Sequence, residues 1–378
     1  MPMKLYFATN RNHVGDDRWH PKAYGTTFSR DGLENLRLGV VEVSADEDRI
    51  SAFLAKPMDK CGQGDGDGLG QYLAQRVVDS SRITPFPEVL DGSIAESGQR
   101  GVQLGSQAMF AELMEVMKDC SDVLVFIHGF NVSWAAAVGS ALALQTMLNR
   151  DRKEKTVTVV LFTWPSDGLA LPWVSYKSDR AEAAGSGGAV GRSFLKLRDF
   201  LAGLHDRART GGVELCGQEI HLLCHSMGNY VLQNALAKAW DHHSGNTLPR
   251  LFEHIFLCAP DVDDICLEAD QPLARIDQLA RNVTIYHNRN DKALVISDFT
   301  KGNPERLGGN GAAHPILLHQ KIHQVDCTPV VDDFIGHGYF LIGNVNADIR
   351  LSIDSVPQDG NRRRRQAGAL GNLWVMTE

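Results

Sequence analysis

Cys224-His225-Ser226-Met227-Gly228 lies between a short apolar run, Glu219 to Cys224, and a stretch where Val231, Leu232, Ala235, Leu236, Ala239 and Trp240 recur at helical spacing. A strand, a tight turn with a serine at its apex and a helix make a nucleophile elbow. The sharp turn lifts the serine oxygen off the sheet edge. Gly228 lets the helix pack close to the strand. The usual spacing is G-x-S-x-G, and Cys224 here takes the place of the first glycine. A cysteine on the strand before the apex reads as a small buried hydrophobe, not as a second nucleophile.

A serine hydroxyl is a poor nucleophile at neutral pH. It needs a base in hydrogen-bond reach, a group that orients the base, and donors for the oxyanion. Acids follow Ser226 after two later strand ends: Asp261, Asp263 and Asp264, and then Asp291 in NRNDKAL. Asp291 is the expected acid, because a tight turn after a strand presents its carboxylate to the sheet rim; Asp261 and Asp263 are the competitors. His337, between Gly336 and Gly338, is the expected base, with His314, His319 and His323 as rivals. The oxyanion donors are assigned to the backbone N–H of Met227, directly after the nucleophile at a helix N-terminus, and of Phe130 in HGFN. Asn131 is the second choice there. His128, ahead of the nucleophile, reads as structural, and His225 as a wall of the site. Trp134, Trp164, Trp173 and Tyr176 are taken as apolar walls, which would favour acyl or aromatic groups over highly charged substrates. No metal site is expected: His242 and His243 are adjacent, so they point to different sides of a helix. No cofactor is required.

The elements that must carry these residues begin with strands at 4–8 and 38–43. Residues 61–70, CGQGDGDGLG, read as a loop; one copy of a Gly/Asp pattern is not a calcium repeat. Residues 79–105 read as a loop excursion. From there helices and near-continuous apolar strands alternate: a helix at 107–119, a strand at 122–127, a helix at 133–150, a strand at 156–162, a broken helical pattern at 179–206 interrupted by the small residues 184–191, the elbow, and strands at 254–258, 283–287 and 322–325. Such alternation implies βαβ units and a mostly parallel sheet flanked by helices. Every strand then ends along one rim, where ligands bind in open α/β sheets. The loops at 128–131, 163–166, 224–228, 259–264 and 288–291 all fall there.

A net charge of −8 argues against a nucleic-acid partner, and the dense basic run Arg362 to Arg365 reads as a solvated tail. No run approaches the roughly 18 apolar residues of a membrane span, and the N-terminal residues lack a secretory h-region. Seven scattered cysteines without a C-x-x-C pair fit reduced thiols in a cytoplasm. The expected organisation is an N-terminal extension of edge strands and loops at 1–106, an α/β-hydrolase core at 107–350 and a C-terminal tail at 351–378.

The motifs LYFATNR, LGVVEVS, VFIHGFN, FTWPS with Tyr176 and Asp179 downstream, LLCHSMGN, LCAPDVD, NRNDKAL and GHGYF together resemble the alpha/beta hydrolase family DUF900, over most of the chain. Gly338 departs from the serine expected after the histidine. The resemblance implies the α/β-hydrolase fold and the same triad, Ser226, Asp291 and His337, but no substrate. The expected activity is serine hydrolysis of small-molecule carboxylic esters through an acyl-enzyme. Amidase, thioesterase, lipase and acyltransferase activities on the same triad, or a silent binding module, are the alternatives. The oligomeric state is not legible.

Overall fold

The chain runs β1 (Pro2–Thr9), β2 (Arg11–Val14), β3 (Ala23–Phe28), β4 (Arg37–Ser44), α1 (Glu47–Ala55), α2 (Gly66–Ser80), β5 (Arg82–Pro85), α3 (Gly105–Lys118), β6 (Ser121–Ile127), α4 (Trp134–Leu148), β7 (Thr156–Thr163), α5 (Pro172–Arg209), β8 (Ile220–His225), α6 (Gly228–Asp241), β9 (Phe252–Cys258), β10 (Ala280–His287), β11 (Ile322–Asp326), α7 (Gly343–Ile353), β12 (Arg364–Gln366) and β13 (Leu373–Met376), with short helical turns between some of them. The structure is a computed structural model. It describes residues 1–86, 105–119, 121–166, 172–210, 217–241, 249–294, 305–331, 336–360 and 362–378, without the side chains of 172–175, 205–207 and 241. Residues 87–104 of the expected excursion, His242 and His243, Cys120 and Cys216, and the Trp173 side chain lie outside what is described.

All strands but β2 and β3 join one sheet in the order β12-β13-β11-β10-β9-β8-β6-β7-β1-β4-β5. From β13 to β1 every neighbouring pair is parallel, and β4, β5 and β12 add antiparallel edges. This is an α/β-hydrolase architecture. The strand order reverses at β6, because β7 lies on one side of it and β8 on the other. At such a switch point the loops after neighbouring strands diverge and leave a crevice. Here those loops are the HGFN segment after β6 and the elbow after β8, held level by the pairing of Ile127 with Cys224.

Both faces of the central strands are buried, as their unbroken apolar runs require. One face packs Leu124, Phe126, Leu223, Phe256 and Tyr286 against α2, α4 and α7. The other packs Ile127, Leu222, Cys224, Ile255 and Ile285 against α5 and α6.

Four expectations are overturned. The described start of the excursion expected from residue 79 is the end of α2 and then β5, which pairs with β4. The small residues at 184–191 do not interrupt a helix, since α5 continues from Pro172 to Arg209. They let it approach α6: a Cβ on Gly187 would lie 2.5 Å from Asn234 Cβ, and one on Gly191 2.8 Å from the Ala235 carbonyl oxygen. The Gly/Asp-rich stretch 61–70 is not a free loop. Asp65 caps α2 by accepting from the Gly68 N–H, and a Cβ on Gly66 would meet the Leu341 carbonyl oxygen at 2.0 Å. Glycine is used there for contact with the segment that follows His337. Finally, Arg362 and Arg364 are not a solvated tail. Their side chains are buried and share Asp348, at 2.8 Å and 3.1 Å, while β12 and β13 extend the sheet.

Candidate active site

The nucleophile candidate stands where β8 turns into α6. Ser226 has φ +53, a left-handed conformation that a residue with a Cβ adopts only when its surroundings hold it there. They do: the Ser226 N–H donates to the Cys258 carbonyl at 2.9 Å, and the Ser226 carbonyl accepts from Asn229 N–H at 3.0 Å and Asp261 N–H at 3.2 Å. A Cβ on Gly228 would sit 2.5 Å from the Ile127 carbonyl oxygen, so glycine alone fits the first helical position. Cys224 is fully buried, and burial drives its thiol far above the usual range, which keeps it protonated.

Asp291 follows β10, in the turn expected for it. Its Oδ1 accepts from Ala293 N–H at 3.1 Å and Leu294 N–H at 3.4 Å, and its Oδ2 lies 2.7 Å from His337 Nδ1. Burial would raise the Asp291 pKa, but the charge and hydrogen bond of His337 and the backbone donor outweigh it and the carboxyl is held low. For His337 the signs reverse. Burial pulls the imidazole down, while the charge and hydrogen bond of Asp291, with the charge of Asp261, leave it above its ordinary value. A carboxylate only accepts, so Nδ1 carries the proton and Nε2 holds the free lone pair. Among the described residues Ser226 Oγ has no hydrogen-bond partner, so the acid–base pair is closed and the serine–base contact is not.

The other candidates have other partners. Asp261 is buried, but its partners are the Tyr176 hydroxyl at 2.8 Å and Arg306 Nε at 3.3 Å; Asp263 pairs with Arg306 as well. His314 pairs with Glu268 and His319 faces Asp277 at the surface, while His323 lies within β11.

The loop after β6 touches the elbow, since a Cβ on Gly129 would lie 2.7 Å from Ser226 Cβ. Neither the Phe130 N–H nor the Met227 N–H has a hydrogen-bond acceptor among the described residues. The Asn131 N–H, the second choice as donor, is already used on Asp179 Oδ2 at 3.0 Å, with Asn131 at φ +60. His128 is buried and held far below the ordinary histidine range, first by burial and then by the Arg11 charge. Its Nδ1 faces the Gly129 carbonyl at 2.8 Å and its Nε2 accepts from Thr163 Oγ1 at 2.9 Å, a bracing role.

Sequence reasoning missed the support behind this loop. Arg11, fully buried, donates to Thr163 Oγ1, to the carbonyls of Gly25 and Ser166, and to the Val132 carbonyl at 2.7 Å. Burial pulls its pKa down to about 9, against the charges of Asp179 and Glu182, so it stays charged at neutral pH. Asp179 holds both the Asn131 N–H and the Ser166 hydroxyl, and Ser166 Oγ accepts from Val132 N–H at 3.0 Å. The only sequence signal was a charged residue directly after an apolar strand, in Thr9-Asn10-Arg11.

The expected aromatic walls are mostly spent. Trp164 is fully buried, stacked on His128 with its Nε1 donating to the His128 carbonyl at 3.0 Å. Trp134 packs between Phe7 and Tyr24 in the core. Tyr176 meets the Phe130 ring edge-on at 5.7 Å, and its hydroxyl donates to Asp261. His225 lies between Phe340 and His337, ring centroids 4.6 Å and 4.7 Å away. Burial, and next the His337 charge, bring its pKa to about 3, so it is neutral.

The described residues include no helix long and apolar enough to cross a membrane. A search of curated proteins finds no match. A family model described as an alpha/beta hydrolase of unknown function, DUF900, matches residues 106–350, more than half of the chain and the whole of the strand–loop system that carries the elbow, the acid and the histidine. The chain belongs to the DUF900 family of alpha/beta hydrolases.

Proposed function

We propose that this protein is a serine hydrolase that cleaves carboxylic esters through an acyl-enzyme, with Ser226 as nucleophile, His337 as base and Asp291 as orienting acid. The observation that carries the reading is the Asp291–His337 pair, 2.7 Å apart, on the same rim as a serine held at φ +53. Substrate binding closes the serine–base contact, as catalytic hydrogen bonds often tighten only in the complex. His337 Nε2 takes the Ser226 proton as Oγ attacks the ester carbonyl. The negative charge on the tetrahedral oxygen falls to the N–H groups of Met227 and Phe130; losing one such donor costs about 2.7–4 kcal/mol of transition-state stabilisation. His337 returns the proton to the leaving alcohol. Water, deprotonated by the same imidazole, then releases the acid and restores Ser226. Asp291 stabilises the imidazolium at both stages.

Amides, thioesters or lipids fit the same triad, as does transfer to an acceptor other than water, because fold and triad host many substrates. Cys224, Cys258, Cys266 and Cys327 are buried free thiols, which supports a reducing, cytoplasmic setting.

The test is labelling with a fluorophosphonate probe, wild type beside Ser226→Ala, followed by p-nitrophenyl esters of varied chain length. Label on wild type only is expected. An absence of Ser226-dependent label removes the hydrolase reading and leaves a silent hydrolase-fold binding module.

A further inference from the structure

Beside the candidate site is an arginine whose charge is poorly matched among the described residues. Arg180, on α5, lays its guanidinium over the Tyr230 ring at 3.7 Å and donates from Nη1 to the Tyr176 hydroxyl at 3.3 Å. Among the described residues the carboxylate paired with it is that of Asp261, 4.0 Å away. That carboxylate is already engaged by the Tyr176 hydroxyl at 2.8 Å and by Arg306 Nε at 3.3 Å, and Arg306 pairs with Asp263 too. The remaining Arg180 donors have no acceptor among the described residues.

Each neighbour of Arg180 also adjoins the reacting centre. The Tyr230 N–H bonds the Met227 carbonyl at 3.0 Å, in the first turn after the nucleophile. The Asp261 N–H bonds the Ser226 carbonyl, and the Tyr176 ring abuts Phe130. Of the two cations in this cluster Arg180 is the accessible one, 19% exposed against 1% for Arg306. A guanidinium stacked on an aromatic ring, with donors to spare, is pre-organised for a planar or tetrahedral oxyanion group.

We propose that Arg180 is the anion-binding residue of this site, so that the acyl donor carries a carboxylate or phosphate in addition to its scissile ester. The inference rests on the reading of Ser226 as nucleophile. It departs from the expectation that aromatic walls favour acyl or aromatic groups over highly charged substrates.

The test uses p-nitrophenyl half-esters of glutarate and adipate beside their methyl-capped forms, with a phosphonate homologue to separate carboxylate from phosphate, and the Ser226→Ala rate subtracted. Wild type should favour the anionic ester in kcat/KM by about tenfold or more, as a charge-assisted hydrogen bond implies. Arg180→Gln should bring that ratio toward one, with Arg180→Lys between. A wild-type ratio of one or less, or a ratio that survives in Arg180→Gln, overturns the proposal. If the variant does not fold, or the esters are not turned over, protection of wild-type Ser226 from the fluorophosphonate by free glutarate or inorganic phosphate decides; protection by neither overturns it. Loss of Ser226 labelling itself marks failure of the nucleophile reading, a separate result.

Discussion

His225 Nε2 lies 3.0 Å from the backbone carbonyl oxygen of His337. A carbonyl only accepts, so the neutral His225 ring donates from Nε2, and the residue before the proposed nucleophile thereby holds the backbone of the proposed base. Phe340 closes the other side of the ring. Glycines flank His337, so without this bond its position is set by a permissive backbone. His225→Phe keeps a ring and removes the donor. It should slow fluorophosphonate labelling by about tenfold, the worth of roughly one net hydrogen bond. His225→Gln, with a side-chain N–H₂, should recover part of the rate. Equal rates in wild type and His225→Phe would show that the bond does not position the base.

The pH profile should carry the Asp291–His337 pairing. The base works only when deprotonated, and Asp291 raises its pKa against the pull of burial. The labelling rate should therefore climb with pH through a midpoint above the ordinary histidine value of about 6.5. In Asp291→Asn the main raising influence is gone and burial remains, so the midpoint should move down. The plateau should fall on the order of 10⁴-fold, the loss seen when a triad histidine is left in the wrong tautomer. A midpoint that stays in place would point to another acid.

The elbow turn and the Asp291–His337 pair were legible because each rests on a local pattern: a serine between small residues after an apolar strand, an acid in a turn, a histidine between glycines. What holds these residues was not, because it is made at long range. Asp65 pairs with Ile342 and Gly66 fits against Leu341, which no local reading of a Gly/Asp-rich stretch can announce. The glycines of α5 look like breaks until α6 is seen lying on them. Arg180 and Arg11 are single charged residues whose partners lie on other elements.

Stability should fall on mild acidification for a reason outside the site. His254, at the start of β9, and His323, on β11, are held at about 3 and about 4. Burial leads in both; for His254 the charges of His221, Arg362 and Arg281 add to it, and for His323 those of Arg364 and Arg362. In the unfolded chain each takes a proton near pH 6.5. Between that pH and about 4 the unfolded state binds the extra protons, so stability is full above about 6.5 and declines below it, by about 1.4 kcal/mol per pH unit for each group at most. Urea midpoints between pH 7.5 and 5 measure this, and His323→Gln should flatten the slope. An unchanged slope in that variant would assign the loss to other groups.

Asp348 tests whether the C-terminal arginines are structural. It lies on α7, buried, and its carboxylate takes Arg362 Nε at 2.8 Å, Arg364 Nη1 at 3.1 Å and the Tyr286 hydroxyl at 2.8 Å. Arg362 Nη2 also bonds the Asp348 carbonyl and Ser352 Oγ, each at 2.6 Å, and Arg364 sits over Trp374 of β13. One carboxylate thus fastens the β12–β13 edge to a helix on the sheet face. Asp348→Asn keeps the shape and removes the charge, leaving two buried guanidiniums without a counter-ion. Breaking a buried pair from one side costs about 3–5 kcal/mol. Arg362→Met should cost less, because Asp348 keeps Arg364 and Tyr286 and the apolar stem of the arginine is replaced by one of similar length. Urea unfolding should therefore rank wild type, Arg362→Met and Asp348→Asn in falling order. A solvated basic tail would move neither midpoint, so coincident curves for all three proteins would detach Arg362 and Arg364 from the fold.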